Sequence, residues 1–156
     1  MIVKIICCFI ASINGGFMKD SLTNSICNFF TKASKIVTYT NIGKTEYTKG
    51  DDKFEALLLA LENITSGSHD MPAYGVSLDN EVIDATKNGT WLELVFDTTQ
   101  KYNEMPFDAL LINVEPESSG FNLIRKHNNK YDGRCFYLNL KENMKELFDT
   151  INNISK

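Results

Sequence analysis

Apolar residues recur at every second position in four successive segments of the chain's second half, and this alternation constrains the fold more than any other feature. The segments cover residues 91–96, 107–114, 121–126 and 134–140. Because successive side chains of a β-strand point to opposite faces, a period of two indicates strands with one buried face. Short connections join the segments, so we expect consecutive strands to pair antiparallel as a meander.

Helical spacing of apolar residues marks three other segments. The first covers residues 20–33. A capping box that begins at Asp52 opens a second helix, and Gly67 is placed to end it in the left-handed conformation. Asn139 and Glu142 form another capping box before a C-terminal apolar stripe.

Turn residues separate several shorter elements. Residues 35–40 and 45–48 are rich in β-branched and aromatic side chains on either side of a turn, which predicts a hairpin. Residues 66–78 contain many Gly, Ser and Pro and are expected to form the longest loop. A short helix follows, with Asp79 as N-cap and Gly89 beyond its end. The predicted fold is α+β: a mainly antiparallel sheet, made of the four-strand meander and the hairpin, with three to four helices packed on one face.

Composition supports a folded domain and argues against nucleic-acid binding. Of the 156 residues, 43% are hydrophobic and 11% aromatic, which is enough for a substantial core. The 16 basic and 20 acidic residues give a net charge of −4, so the chain lacks the basic field that attracts a phosphate backbone. No repeat or interdomain linker is visible, and the sequence predicts a single domain over residues 18–156.

The first 17 residues differ from the rest of the chain. Lys4 precedes an apolar run over residues 5–11, which has the charge and length of a secretory signal but a poor cleavage site. The alternative is a translated leader, because Gly15 and Gly16 can be encoded by a purine-rich ribosome-binding tract ahead of Met18. On that hypothesis Met18 is the start of a bacterial, cytoplasmic protein without membrane contact. A genuine signal would make the protein secreted or membrane-associated.

The chemically reactive residues form no motif for catalysis or metal binding. Cys27 and Cys135 have no metal-ligand or redox spacing, so we expect buried thiols in a reducing compartment. His69 precedes Asp70, but no nucleophile motif surrounds them. One acidic group suits a helix N-terminus better than a metal site and consists of Asp79, Glu81 and Asp84. We therefore predict no catalytic residue, cofactor or metal.

The second face of the predicted meander mixes aromatic, aliphatic, acidic and amide side chains. Such a face suits contact with a partner better than contact with water. The expected interaction face consists of Trp91, Glu93, Asn113, Tyr137 and Asn139. The alternative is that a second helix layer or the N-terminal hairpin covers this face. The favoured function is a non-enzymatic binding or protein-interaction domain, with a protein partner or through self-association.

Arg125 and Arg134 are the only arginines, and they flank one predicted connection. Because a guanidinium binds carboxylate or phosphate with paired hydrogen bonds, a second hypothesis places an anion site here. His127 and Tyr131 lie in the loop above and would contribute to it. The protein would then be an enzyme or sensor of a small anionic ligand. The alternative is that the arginines form ion pairs with acidic side chains, for which the candidates are Glu115, Glu117 and Asp108.

Overall fold

A seven-stranded antiparallel sheet dominates the computed structural model, which describes residues 24–72 and 75–156. The strands are β1 (Lys35–Thr40), β2 (Gly43–Thr48), β3 (His69–Met71), β4 (Val76–Ser77), β5 (Trp91–Tyr102), β6 (Met105–Asn113), β7 (Gly120–Lys126), β8 (Gly133–Arg134) and β9 (Phe136–Asn139). The helices are α1 (Asp52–Thr65), α2 (Asp79–Ala85) and α3 (Lys145–Ile154), preceded by a 3-10 helix over Ile26–Lys32. The strand order in the large sheet is β2-β1-β5-β6-β7-β9-β3, and β4 pairs separately with β8. The protein is therefore α+β, as predicted.

The predicted meander is confirmed, because β5, β6, β7 and β9 pair in chain order, each antiparallel to the next. Leu94 lies opposite Leu110 and Phe121 opposite Leu138, so residues of one parity share a face. The predicted apolar set on that face is entirely buried: Leu92, Leu94, Phe96, Leu110, Ile112, Val114, Phe121, Leu123, Phe136, Leu138 and Leu140. The hairpin of β1 and β2 is also confirmed and extends the sheet through pairing of β1 with β5.

Three helical elements cover the apolar face of the sheet. The 3-10 helix, α1 and α3 contribute Phe30, Phe54, Leu57, Leu147 and Ile151 to one continuous core. Burial of this surface stabilises the fold by roughly 25 cal/mol for each Å² removed from water, and it is the largest favourable contribution.

α2 lies on the opposite face of the sheet, which corrects the expectation that all helices pack on one side. The buried residue of this helix is Val82. Val82 packs with Trp91 and Leu111 of the sheet and with Tyr131. Since the seven-residue helix carries three carboxylates, it has little apolar surface with which to join the main core.

The first helix is shorter than predicted and differs in type. Residues 24–33 form only the 3-10 helix, which the hydroxyl of Ser25 caps by accepting a bond from Cys27 N. Ala33 is already extended, with φ −60° and ψ 137°, because β1 begins two residues later. The beginning of the predicted helix, like the prefix at residues 1–17, lies outside the described residues.

Two short strands occupy part of residues 66–78, where the sequence predicts a loop. β3 pairs with β9, with His69 opposite Asn139, and β4 pairs with β8. Both partners come from the far end of the chain, so local composition gives no signal for either strand. The predicted capping box at Asn139 is wrong for a related reason: this residue belongs to β9, and α3 begins only at Lys145.

A two-residue turn joins β5 to β6 and places a glutamate in an unfavourable backbone conformation. Asn103 and Glu104 have φ values of +48° and +63°, between the paired residues Tyr102 and Met105. The left-handed region costs a residue with a Cβ about 1–2 kcal/mol, more than the added backbone entropy of glycine. Glu104→Gly relieves this strain but also removes the exposed ion pair between Lys101 and Glu104. We expect a net rise of about 0.5 kcal/mol in the free energy of unfolding, measured in urea.

The matched control is Asn103→Gly at the neighbouring position. Asparagine tolerates the left-handed region better than glutamate, so this substitution should gain less. An equal or larger gain at Asn103 would contradict the assignment of strain to Glu104.

Candidate functional site

The face of the sheet opposite the core is covered at its centre. Residues 76–85, which include β4 and α2, and residues 131–134 lie over this face and are together called the cover below. Trp91 and Glu93 of the predicted interaction face are buried. Asn113 and Tyr137 are half-buried, and Asn139 is exposed. The alternative that this face is covered therefore applies to the centre of the sheet. Among the described residues the covering helix is α2, and the N-terminal hairpin does not cover the face but extends the sheet.

Hydrogen bonds among its own residues fasten the cover. The backbone N–H of Tyr131 donates to the carboxylate of Asp79 at 2.8 Å, and the N–H of Asp79 donates to the carboxylate of Asp132 at 2.8 Å. The hydroxyl of Ser77 donates to the carbonyl of Tyr131. Asp79 therefore joins two segments of the cover, while the N-cap position of α2 falls on Leu78.

A carboxylate lies buried between the cover and the sheet. The residue is Glu93, only 3% exposed. The hydroxyl of Tyr131 donates to its Oε1 at 2.5 Å, and the hydroxyl of Tyr39 donates to its Oε2 at 3.0 Å. Burial, and then the charge of Glu93, raises the pKa of both tyrosines, which keeps both hydroxyls protonated. Within the described ranges no cationic side chain forms an ion pair with Glu93.

An open cavity of about 370 Å³ adjoins Glu93 and is called the Glu93 trough below. Aliphatic side chains form part of its lining, namely Val37, Val95 and Ala109. Tyr39, Phe96 and Asn129 also line it. The charged members of the lining are Lys35, Lys44, Lys126, Glu46, Asp108 and Glu93. The trough therefore combines a small apolar surface with charges of both signs.

Two of the three lysines of the trough share one carboxylate, and the third lies against an aromatic ring. Lys35 and Lys44 both reach the carboxylate of Glu46, at 3.2 and 3.3 Å. The ammonium of Lys126 instead lies 4.9 Å from the centre of the Tyr131 ring. Among the residues the structure describes, no carboxylate lies within 4.0 Å of this ammonium.

The guanidinium of Arg125 donates hydrogen bonds to two backbone carbonyls. Its Nε donates to the carbonyl of Arg134 at 2.6 Å and its Nη1 to that of Pro106 at 2.7 Å. The guanidinium also lies 5.9 Å from the centre of the Phe136 ring. Burial lowers the pKa of Arg125. The side chain of Arg134 is exposed on β8.

The other two residues of the predicted anion site have separate partners. His127 Nδ1 lies 3.1 Å from the carboxylate of Asp108, which also accepts a bond from Thr99. Tyr131 turns inward to Glu93. The structure therefore does not gather the four predicted residues around one point. In the described part of the chain, the predicted ion pairs of the arginines with Glu115, Glu117 or Asp108 are also absent.

Three residues of the predicted interaction face line a second cavity. Trp91, Asn113 and Tyr137 share a space of about 290 Å³ at the other side of the cover. The indole N–H of Trp91 donates to the carbonyl of Asn88 at 2.7 Å, so its polar group is already paired. Glu93 and Asn139 do not line this cavity.

Three large aliphatic side chains of the cover are exposed, although the alternation along the strands gave no indication of them. Val76, Leu78 and Ile83 are 68%, 54% and 47% exposed, within eight consecutive residues. The sequence shows four aliphatic residues in this segment, but their spacing does not indicate that Val82 alone among them is buried. Exposed carboxylates occur in the same cover, on Glu81, Asp84 and Asp132.

The remaining reactive side chains are used structurally. Asp70 does not orient His69, because its carboxylate accepts a bond from the N–H of Ile26 at 2.9 Å. Cys27 and Cys135 are free thiols, and burial raises the pKa of both. No group of three His, Cys, Asp or Glu side chains that could hold a metal ion occurs in residues 24–72 and 75–156. No helix in these ranges is long and apolar enough to cross a membrane.

Comparison of the chain with protein-family models, with curated proteins and with solved structures found no match.

The bond from Tyr131 to Glu93 generates a stability prediction. Tyr131→Phe removes a donor from a buried carboxylate and keeps the ring, so we expect the free energy of unfolding to fall by about 1.5–3 kcal/mol in urea at neutral pH. Tyr39→Phe is the matched control, because its hydroxyl bond is longer and its side chain is less buried. The control should cost less. A Tyr131→Phe protein as stable as the wild type would contradict the assigned role of this bond.

Proposed function

We propose that the protein is a non-enzymatic interaction domain that binds a basic protein partner through the exposed patch of the cover. The patch consists of Val76, Leu78 and Ile83. The observation that carries the proposal is the concentration of exposed aliphatic side chains on a short segment that is otherwise well anchored. Contiguous exposed apolar surface on a folded protein commonly marks an interaction site.

The anchoring of the cover supports this proposal. Bonds from Ser77 and between Asp79 and Tyr131 hold the segment in place, and Val82 packs on the sheet beneath it. A surface that is already ordered loses less conformational entropy when it binds a partner. The exposed side chains therefore occupy a fixed arrangement, which favours a specific contact.

Charge indicates the chemistry of the partner. The cover carries four carboxylates, on Asp79, Glu81, Asp84 and Asp132, against the single guanidinium of Arg134, and the whole chain has a net charge of −4. Asp84 also pairs with Lys87 at 2.9 Å, so the acidic excess of the cover is moderate. In a symmetric pair of copies, two such acidic surfaces would face each other and repel. A partner with an apolar centre and a rim of Lys or Arg would instead gain both burial and charge complementarity. We therefore favour a basic partner over self-association.

The anion-binding hypothesis has weaker support. Backbone carbonyls already bind the guanidinium of Arg125, and His127 and Tyr131 point to other partners. An anion site at Arg125 and Arg134 remains a prediction from the sequence. The distribution of charges and exposed apolar side chains favours the interaction domain.

Selection from a displayed peptide library tests the proposed function. We expect the protein to enrich peptides that combine aliphatic or aromatic residues with Lys or Arg. Ile83→Ser and Leu78→Ser should each weaken binding of a selected peptide about tenfold, since each removes an apolar side chain from the contact. The measurement is isothermal titration calorimetry at two salt concentrations, with weaker binding at the higher one.

Exposed aliphatic residues elsewhere supply the controls for this experiment. Ile42 and Leu59 are 71% and 46% exposed but lie on the β1–β2 turn and on α1. Ile42→Ser and Leu59→Ser should leave peptide affinity unchanged. The proposal fails if the controls weaken binding equally, if acidic peptides are enriched, or if sedimentation shows a dimer that Ile83→Ser dissociates.

A further inference from the structure

We propose that the Glu93 trough is a second binding site, for a small aliphatic zwitterion that carries an ammonium and a carboxylate group, such as a free α-amino acid. This inference goes beyond the proposed function, because the trough is lined by strands β1, β2, β5 and β6 and by residues 126 and 129, and not by the exposed patch.

The buried carboxylate identifies the cationic half of the ligand. Glu93 accepts one bond on each oxygen from Tyr39 and Tyr131, and both donors are neutral. A carboxylate has room for about four hydrogen bonds, so each oxygen can accept another donor. A buried charge without a cation is costly, and an ammonium entering from the trough would compensate it. If the only role of this side chain were to link Tyr39 and Tyr131, a neutral glutamine could do so without the free-energy cost of burying a charge.

The lysines identify the anionic half of the ligand. Lys35 and Lys44 share the carboxylate of Glu46. The ammonium of Lys126 lies 4.9 Å from the centre of the Tyr131 ring, and in residues 24–72 and 75–156 it has no carboxylate within 4.0 Å. A ligand carboxylate would give this ammonium the charged partner that it lacks among the described residues. The same side chain of Tyr131 touches both charged groups, with its ring near Lys126 and its hydroxyl on Glu93. The two charges of the ligand therefore need only a short separation.

The lining of the trough contains three lysines and three carboxylates, so its formal charge is balanced. Complementarity with charges of both signs favours a ligand that carries both signs over one that carries a single sign. The volume of about 370 Å³ is near the lower end of ligand cavities, which span roughly 300–1,000 Å³. The half-buried Val95 offers aliphatic contact, while Val37 and Ala109, which are 2% and 3% exposed, add little surface. Together these properties favour a small zwitterion with an aliphatic side chain.

Titration calorimetry with the full chain tests the ligand class. The probes are L-leucine, L-valine and L-alanine, and each amino acid is compared with its amide and its N-acetyl derivative. The amide lacks the carboxylate, and the N-acetyl compound lacks the ammonium. We expect at least one free amino acid to bind about tenfold or more tightly than both of its derivatives. Absence of saturable binding up to about 10 mM for all three amino acids would overturn the proposal, as would equal binding of the derivatives.

Two variants test the assigned contacts, and a third is the control. Lys126→Met removes the ammonium and keeps an unbranched apolar side chain, so it should abolish the preference for the free amino acid over its amide. Glu93→Gln should abolish the preference over the N-acetyl derivative. Lys130→Met, at an exposed position outside the lining of the trough, should change neither preference.

Folding of each variant is checked by circular dichroism and urea unfolding. Lys126 is only half-buried, so its replacement threatens folding less than replacement of Glu93. If Glu93→Gln does not fold, the ligand preference of Lys126→Met alone tests the assigned site. Unchanged ligand preference in folded Lys126→Met would overturn the assigned site.

Discussion

Removal of one apolar sheet face from water is the interaction on which the rest of this structure depends. The sheet presents Leu92, Leu110 and Leu123 to α1, α3 and the 3-10 helix, and the core between these layers is continuous. Because burial of this face supplies most of the hydrophobic stabilisation of the fold, the other face can carry polar groups. The buried carboxylate of Glu93 and the charged trough are tolerable only because the stabilising core lies on the other side of the same strands.

The two faces are therefore stabilised by different physics. The core face relies on packing, with Phe107 meeting Phe96 and Phe136 edge to face at ring-centre distances of 5.4 and 5.8 Å. The opposite face adds directed hydrogen bonds, such as the one from Tyr131 to Glu93, to the small apolar cluster around Val82. Packing tolerates many aliphatic substitutions, whereas a hydrogen-bonded carboxylate tolerates few.

The periodicity of the sequence predicts those elements that local residue spacing determines, but not those that depend on distant partners. The strands of the meander, the hairpin and α1 follow from periods of two and 3.6 residues. β3 and β4 were not predictable in this way, because their partners at Tyr137–Asn139 and Gly133–Arg134 are distant in the chain. The candidate site, too, was only partly predictable from the sequence. Parity placed Trp91, Asn113 and Tyr137 on one face, but it could not show that Tyr131 turns inward to Glu93 or that Val76 remains exposed.

The pairing of β3 with β9 has a consequence for synthesis on the ribosome. β3 ends at Met71 and β9 begins only at Phe136, so the ribosome makes these two strands far apart in time. The nascent polypeptide can form its hairpin and α1 early, but β3 stays unpaired until β9 has left the exit tunnel. Non-local pairing of this kind slows folding, because the chain between the strands must be ordered before their contact forms.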